Sequence, residues 1–237
     1  HPKAKQLTRD LDRNKKTFVK GLSGSMGAVI AAGTVEHLTV PQLFLLRDKE
    51  EAAYFHNDLQ NLLAEQEVHF FPSTFKRSIQ FGQEDPTNII LRTGVLNALR
   101  SNQPALVVSY PEALIEKVVK KKELAKNTLE INTGEKISSE FLNEMLFEYH
   151  FEQVDFVYEP GQFSVRGSIV DIFSFSDDHP YRIDFFGEEV ESIRRFDVEN
   201  QLSVQNLNQA VIQPKLQDGL TQESEWQSLF EFLDPNT

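Results

Sequence analysis

The chain has 237 residues, of which 40% are hydrophobic and 25% are charged, as is typical of a soluble globular protein with one large or two small domains. Its formal net charge of −12 argues against a broad nucleic-acid-binding surface, and its lack of cysteine excludes disulfides, thiolate metal sites and a cysteine nucleophile. No apolar run approaches the roughly 20 residues of a membrane span, and we expect a cytoplasmic protein.

A glycine-rich segment, GLSGSMGA at residues 21–28, follows the apolar residues 17–19 and precedes a predicted helix. A strand, a glycine-rich turn and a helix form the frame of the phosphate-binding loop of nucleotide hydrolases. The lysine of that motif would fall on Gly27 and its Mg²⁺-binding hydroxyl on Ala28, and no Gly-Lys dipeptide occurs in the chain. We therefore expect either a degenerate loop that does not hydrolyse ATP or an ordinary strand-to-helix connection. The degenerate positions are Gly21, Gly24, Met26, Gly27 and Ala28.

The segment up to residue 126 alternates short apolar runs with helical patterns. Strands are predicted at 41–48, 68–73 and 104–111, and helices at 49–66, 88–101 and 112–124. Alternation of this kind implies a parallel sheet covered by helices. The fold class predicted for residues 1–126 is α/β.

Five lysines occur close together near the end of the predicted helix 112–124. Cations suit the C-terminal end of a helix dipole, so we interpret them as a solvated helix end, with a DNA contact as the alternative. These residues are Lys117, Lys120, Lys121, Lys122 and Lys126.

Beyond residue 127 the pattern changes to one helix followed by strands. The helix is predicted at 137–151, with Ser138 or Ser139 as its cap. The strands lie within 161–175, 180–186 and 190–197, and the tight turns between them predict antiparallel pairing. We predict a small α+β domain over 127–210.

The last segment, 211–237, begins a further element. Trp226, Leu229, Phe230 and Phe232 offer an apolar face that little following chain can cover. We expect the chain to be part of a longer protein.

The strand YRIDFF has a side-chain period of two, so Tyr181, Ile183 and Phe185 should face the core. Arg182, Asp184 and Phe186 then share the opposite face, and Arg166 joins it if its strand pairs with this one. An exposed aromatic ring beside an arginine matches the composition of binding hot spots. A solvated Arg182–Asp184 pair with Phe186 packed at the sheet edge is the alternative.

Other candidate sites are weaker. Asp171, Asp184 and Asp197 have no histidine near them in sequence, which favours turn and edge roles over a metal cluster. The histidines at 1, 37, 56, 69, 150 and 179 lack metal-ligand spacing, and His56 is expected to be a surface or satisfied residue. Nucleophile-elbow and zinc-protease motifs are absent from the sequence, which counts against a small α/β enzyme of unrelated chemistry.

The run EPGQFSVRGSIVDIFSF, followed by PYRIDFFGEEVESIRRFD, resembles the signature of the small inserted domain shared by UvrB and the bacterial transcription-repair coupling factor, Mfd. A looser resemblance extends back through residues 1–126. The degraded loop at 21–28 favours the N-terminal module of the coupling factor over UvrB. So does the short, tyrosine-free stretch 70–88, which stands where UvrB carries its DNA-clamping hairpin.

The resemblance implies a degenerate helicase-like domain carrying an inserted domain that recruits UvrA, the damage-recognition protein of nucleotide excision repair. It places the UvrA contacts at Arg166, Arg182 and Phe186. It implies no catalysis, cofactor or metal in this chain and no membrane. In the complete factor, absent regions would contact RNA polymerase, DNA and ATP, and a C-terminal domain would mask the UvrA-binding surface. The alternative is an ATP- and DNA-binding fragment of a UvrB-type repair helicase.

Overall fold

A computed structural model describes residues 2–13, 16–35, 40–74, 84–101, 104–216 and 226–233. The chain divides into two compact units. The first comprises His1–Gln83, Gly94–Val118 and Gln227–Thr237, and the second comprises Glu84–Thr93 and Val119–Trp226. The predicted domain limits of 1–126, 127–210 and 211–237 stay predictions.

Helices and strands alternate in the first half of the chain, and strands dominate the second. The helices are α1 (Pro2–Asp12), α2 (Met26–Val35), α3 (Lys49–Leu62), α4 (Pro86–Arg100), α5 (Pro111–Ile115), α6 (Lys121–Lys126) and α7 (Ser139–Glu148), with a 3₁₀ turn at Leu229–Phe232. The strands are β1 (Gln42–Leu45), β2 (Val68–Phe71), β3 (Leu106–Ser109), β4 (Val118–Val119), β5 (Leu129–Asn132), β6 (Glu152–Gln153), β7 (Gln162–Arg166), β8 (Ile169–Ile172), β9 (Tyr181–Phe186), β10 (Glu189–Phe196), β11 (Ser203–Leu207), β12 (Gln209–Ile212) and β13 (Trp226–Gln227). Across the described ranges, every helix is too short or too polar to cross a bilayer.

The first unit contains a three-stranded parallel sheet in the order β1-β3-β2. Val108 in the central strand pairs with Phe44 on one side and Phe70 on the other. All four residues of β3 are buried, which accounts for its three consecutive apolar residues, and the Ser109 hydroxyl donates to the Phe71 carbonyl at 2.9 Å. The predicted parallel sheet is confirmed.

Helix α3 begins at a side-chain cap. The Asp48 carboxylate accepts a hydrogen bond from the Glu51 amide at 2.9 Å, and acidic residues in the first turn suit the positive end of the helix. Ala52 and Leu59, seven residues apart on α3, are fully buried, whereas Leu62 is exposed. The helix ends four residues earlier than predicted.

The expectation of a strand at residues 17–19, before the glycine-rich segment, is wrong. Residues 16–23 have no regular secondary structure, and the Phe18 ring is 82% exposed. An apolar run of three residues gains little from extended pairing unless its side chains are buried, and this ring faces solvent.

The prediction of a single helix at 112–124 is also wrong. Helix α5, strand β4 and helix α6 occupy this segment instead. The chain turns extended at Glu116, with φ −67° and ψ 126°, and Val118 and Val119 are then buried as a short strand. Two consecutive β-branched residues favour extended backbone, and this preference outweighs the helical pattern around them.

The apolar residues near the end of the chain are covered better than expected. Leu229 and Phe232 are buried within the 3₁₀ turn, and Phe230 is exposed. The expectation of an uncovered apolar face is therefore wrong for Leu229 and Phe232.

The second unit is built on a six-stranded sheet in the order β11-β10-β9-β8-β7-β6. Its strands pair antiparallel, as predicted, except for β6, which runs parallel to β7. Strands β5 and β12 form a separate antiparallel pair. Helix α7 begins after Ser138, whose hydroxyl accepts from the Phe141 amide at 3.1 Å, so the predicted serine cap is confirmed.

One face of the six-stranded sheet forms the main core of this unit. Fourteen buried side chains meet there, each contributing roughly 1.5–3 kcal/mol when a large apolar group is fully buried. They are Ile131, Leu142, Leu146, Phe151, Phe163, Val170, Ile172, Tyr181, Ile183, Phe185, Val190, Ile193, Ala210 and Ile212. A smaller cluster joins Val157, Phe173 and Phe196, with Ile90 of α4 packed against it.

Candidate partner-binding face

Side chains of β9 alternate between the core and the opposite face of the sheet. Tyr181, Ile183 and Phe185 are buried, as the period-two pattern predicts, while Arg182 and Asp184 are half-buried and Phe186 is 78% exposed. We call the side opposite the core the outer face. Its residues are Arg166 of β7, Asp171 of β8, Arg182, Asp184 and Phe186 of β9, and Ser192 and Arg194 of β10.

A buried carboxylate lies at the centre of the outer face. Asp171 is 1% exposed and accepts two hydrogen bonds from Arg182, Nε to Oδ1 at 2.7 Å and Nη2 to Oδ2 at 2.8 Å. Arg166 also donates to Oδ2 of the same carboxylate. Two guanidinium groups therefore share one anion, and each is fixed in position by it.

The strand order corrects the expected position of Arg166. Strand β8 lies between β7 and β9, so Arg166 and Arg182 are not on paired strands. Asp171 on the intervening strand brings the two arginines onto one face. Arg166 and Arg182 therefore share a face, as predicted, but they do so through the carboxylate of Asp171, for which the sequence predicted a turn or edge role.

Arg182 is less accessible than expected. Its side chain is only 15% exposed, its Nη1 donates to the Gln201 carbonyl at 3.1 Å, and its guanidinium carbon lies 4.4 Å from the centre of the Phe196 ring. The hydrogen bonds to Asp171 raise the pKa of Arg182, so its guanidinium is charged at neutral pH. Arg166, at 37% side-chain exposure, is the more accessible of the two arginines.

A second ion pair extends the outer face onto β10. The Asp184 carboxylate accepts from Ser192 Oγ at 2.8 Å and from the Arg194 guanidinium. The sequence predicted turn or edge roles for Asp171, Asp184 and Asp197. This prediction is wrong for Asp171 and Asp184. It is confirmed for Asp197, whose carboxylate caps a turn by accepting from the Glu199 and Asn200 amides.

Phe186 is the most exposed aromatic residue of this face. It ends β9 immediately before the turn at Gly187, where φ is +62°. Its backbone pairs with Glu189 of β10, so the ring is carried on a fixed strand end. A second exposed ring, Phe156, lies 5.2 Å from the guanidinium carbon of Arg166. Exposed rings on a rigid sheet beside arginines are suited to burial against a partner.

Three functional candidates were missed from the sequence, namely Asp171 as the shared anion, Arg194 and Phe156. A signal for Asp171 was present, because an aspartate within the apolar run IVDIF must find a cationic partner if the strand is buried. The partners themselves depend on strand order, which the sequence does not reveal.

Residues 21–28, predicted to be a degenerate phosphate loop, lead into α2. Gly21 and Gly24 have positive φ, and the helix begins at Met26. A Cβ atom added at Gly27, where a phosphate-binding lysine would stand, would lie 3.5 Å from Cε2 of Phe55 in α3. Ala28, at the place of the metal-binding hydroxyl, is fully buried. Ala28 is therefore used for packing, whereas the distance at Gly27 is that of an ordinary van der Waals contact.

The histidines do not converge on a metal site within the described ranges. His56 Nε2 bonds the Val68 carbonyl at 2.7 Å, which satisfies it as expected. Asp177, Asp178 and His179 are the one group of possible ligands close together among the residues described, but Asp177 already accepts from Tyr181 and Arg195. His1, His37 and residues 75–83, which are nine of the 19 residues in the stretch expected in place of the UvrB hairpin, lie outside the described residues.

Comparison with known proteins finds similarity both to the UvrB interaction domain and to transcription-repair-coupling factors. The family model described as the UvrB interaction domain matches residues 129–217, which contain the whole outer face. The chain is 30% identical over 201 residues to a transcription-repair-coupling factor of Bacillus subtilis, covering 84% of this chain and 17% of the relative. It is 23% identical over 208 residues to the Escherichia coli coupling factor, covering 87% of this chain and 18% of that protein.

Similarity extends to UvrB itself. The chain is 26% identical over 211 residues to UvrABC system protein B of Methanococcus maripaludis, covering 82% of this chain and 32% of the relative. The chain thus spans between a sixth and a third of the length of these relatives. The chain therefore contains a match to the UvrB interaction domain at residues 129–217, and over most of its length it is similar to transcription-repair-coupling factors and to UvrABC system protein B.

Proposed function

We propose that this chain is a non-catalytic adaptor module of transcription-coupled DNA repair that recruits UvrA through the outer face. The observation that carries the proposal is Phe186, a ring 78% exposed at the end of a fixed strand, in the same face as the ion-paired Arg166 and Arg182. Such a face combines an apolar anchor with preorganised cations. The match to the UvrB interaction domain over residues 129–217 supports the same partner.

Binding of purified UvrA to the immobilised chain tests the proposal. We expect saturable binding by the wild type and a loss of at least tenfold in affinity for Phe186→Ala. Val204→Ala is a matched control, because Val204 is an apolar residue of the same sheet, 56% exposed, on the edge strand β11. Equal UvrA binding by Phe186→Ala and the wild type would contradict the assignment of this face.

The proposal includes a degenerate helicase-like fold for the first unit. It is supported by the parallel sheet β1-β3-β2 and by the glycine turn that opens α2. The loop lacks both the lysine and the hydroxyl that phosphoryl transfer uses, so we propose no ATP hydrolysis by this chain. In the complete protein we propose that other regions contact RNA polymerase, DNA and ATP.

The second candidate is an ATP- and DNA-binding fragment of a UvrB-type repair helicase. It is favoured by the similarity to UvrABC system protein B over 82% of the chain. Titration with a fluorescent ATP analogue and Mg²⁺ separates the two candidates. The adaptor proposal expects no saturable binding, and micromolar binding abolished by substitution in the 21–28 loop would favour the helicase fragment.

A further inference from the structure

Four lysines lie on α6 or directly before it, in the second unit. Lys120 is the N-cap residue of this helix, Lys121 and Lys122 are in its first turn, and Lys126 ends it. All four side chains are exposed. We call them the α6 lysine cluster.

The lysines were expected to stabilise the C-terminal end of a helix, but most of them lie at the N-terminal end of α6. Cations favour the C-terminal end of a helix, where only Lys126 lies, and are unfavourable at the N-terminal end, where the other three lie. Lys122 and Lys126 are four residues apart on α6, a spacing at which like charges destabilise a helix. The charges of Lys120, Lys122 and Lys126 therefore do not together stabilise α6, which favours a role outside folding.

The backbone beneath the cluster is held in place. Leu124 is fully buried, and its amide donates to the Lys120 carbonyl at 2.9 Å. Thr128 and Asn127 close the C-terminal end, with Thr128 Oγ1 donating to the Leu124 carbonyl at 2.6 Å and Asn127 Nδ2 to the Glu123 carbonyl at 2.8 Å. The lysines are thus presented from a fixed support rather than from a loose loop.

From this geometry we infer that the α6 lysine cluster binds the phosphate backbone of duplex DNA. Lysine ammonium groups neutralise phosphates without reading sequence. The segment KKKELAK contains no aromatic residue on which unpaired bases could stack, which favours a duplex over a single strand. Because the whole chain carries a net charge of −12, such binding would depend on this local cationic segment and not on a broad basic surface.

The inference is independent of the UvrA proposal, since the cluster lies on α6 and the outer face lies on β7 to β10. Fluorescence anisotropy with a labelled random duplex of about 30 base pairs, titrated between about 20 and 200 mM KCl, tests it. We compare the wild type with Lys120→Gln/Lys122→Gln/Lys126→Gln. Lys121 is left unchanged because it takes part in an interaction within the protein.

We expect the triple variant to lose at least tenfold in affinity at the lowest salt and to reduce the salt slope by about 2 to 3, since each lost phosphate contact contributes about 0.9. The double variant Lys122→Gln/Lys126→Gln, which disturbs the helix start less, should show a smaller loss in the same direction. The matched control is Lys16→Gln/Lys20→Gln/Lys136→Gln, three exposed lysines elsewhere with the same change in net charge. It should change affinity less than twofold.

Three outcomes would overturn the inference. The first is an absence of duplex binding by the wild type at the lowest salt. The second is an equal loss in the cluster variant and the control, which would mean that net charge alone matters. The third is competition by polyglutamate as effective as that by unlabelled duplex, which would assign the cluster to an acidic protein surface.

Discussion

Asp171 and Arg182 form a two-point ion pair across β8 and β9, with both carboxylate oxygens engaged at 2.7 and 2.8 Å. The Asp171 carboxylate is 1% exposed and the Arg182 side chain 15% exposed, so little solvent screens the pair. Breaking such a pair from one side leaves a charge without its partner, which costs more than the pair contributes.

Removal of this carboxylate should therefore destabilise the protein strongly. We expect Asp171→Ala to lower the free energy of unfolding by about 3 kcal/mol, because Arg166 and Arg182 both lose their anion. Urea unfolding followed by circular dichroism measures the change. Asp178→Ala is the control, since its side chain is 79% exposed and its loss should cost less than about 0.5 kcal/mol. Equal unfolding midpoints for the two variants would contradict a central role for Asp171.

Substitutions of Arg166 and Arg182 should differ in their effects on UvrA binding and on the free energy of unfolding. We expect Arg166→Ala to weaken UvrA binding at least tenfold while lowering the free energy of unfolding by less than about 1 kcal/mol, because this residue is 37% exposed and Arg182 keeps Asp171 paired. Arg182→Ala should lower both binding and stability, since it leaves Asp171 with one partner and uncovers Phe196. Calorimetric titration of UvrA beside urea unfolding checks both. A large stability loss in Arg166→Ala, with unchanged binding, would assign that residue a structural role only.

Gly161 should not tolerate a side chain. Its φ is +88°, and an added Cβ would lie 3.1 Å from Cε2 of Phe175. We expect Gly161→Ala to lower the free energy of unfolding by about 2 kcal/mol through backbone strain and crowding. Gly94→Ala is the opposite control, because this site in α4 has open space and should gain about 0.5–1 kcal/mol. Thermal unfolding that moves both variants in the same direction would be inconsistent with this explanation.

A fall in pH should lower the stability of the first unit. Burial lowers the pKa of His56 and His69, so between the folded values and the ordinary value of about 6.5 the unfolded chain binds more protons than the folded chain. Their contribution to stability is present above about pH 6.5 and is lost as the pH falls through the lowered folded values. We expect His56→Gln/His69→Gln to flatten the dependence of the urea midpoint on pH between about 5 and 8. A slope identical to that of the wild type would show that other groups cause it.

The sequence predicted best those features that depend on local pattern. The alternation in YRIDFF, the Ser138 cap and the parallel sheet of the first half are confirmed, since each follows from side-chain period, capping chemistry or element order. The helix at 112–124 was wrong because the burial of Val118 and Val119, a tertiary effect, decides the local backbone. The Asp171 pairs could not be predicted because they depend on β8 lying between β7 and β9.

The small cluster under Arg182 has a consequence for any attempt to isolate the second unit. Phe196 packs in that cluster with Val157 and Phe173, and Ile90, from the first half of α4, lies against it. The Glu84 carboxylate also meets the Lys215 ammonium at 2.7 Å. A fragment cut at residue 127 would leave this hydrophobic cluster partly open to water, and we expect autonomous folding only from a piece that retains residues 84–93.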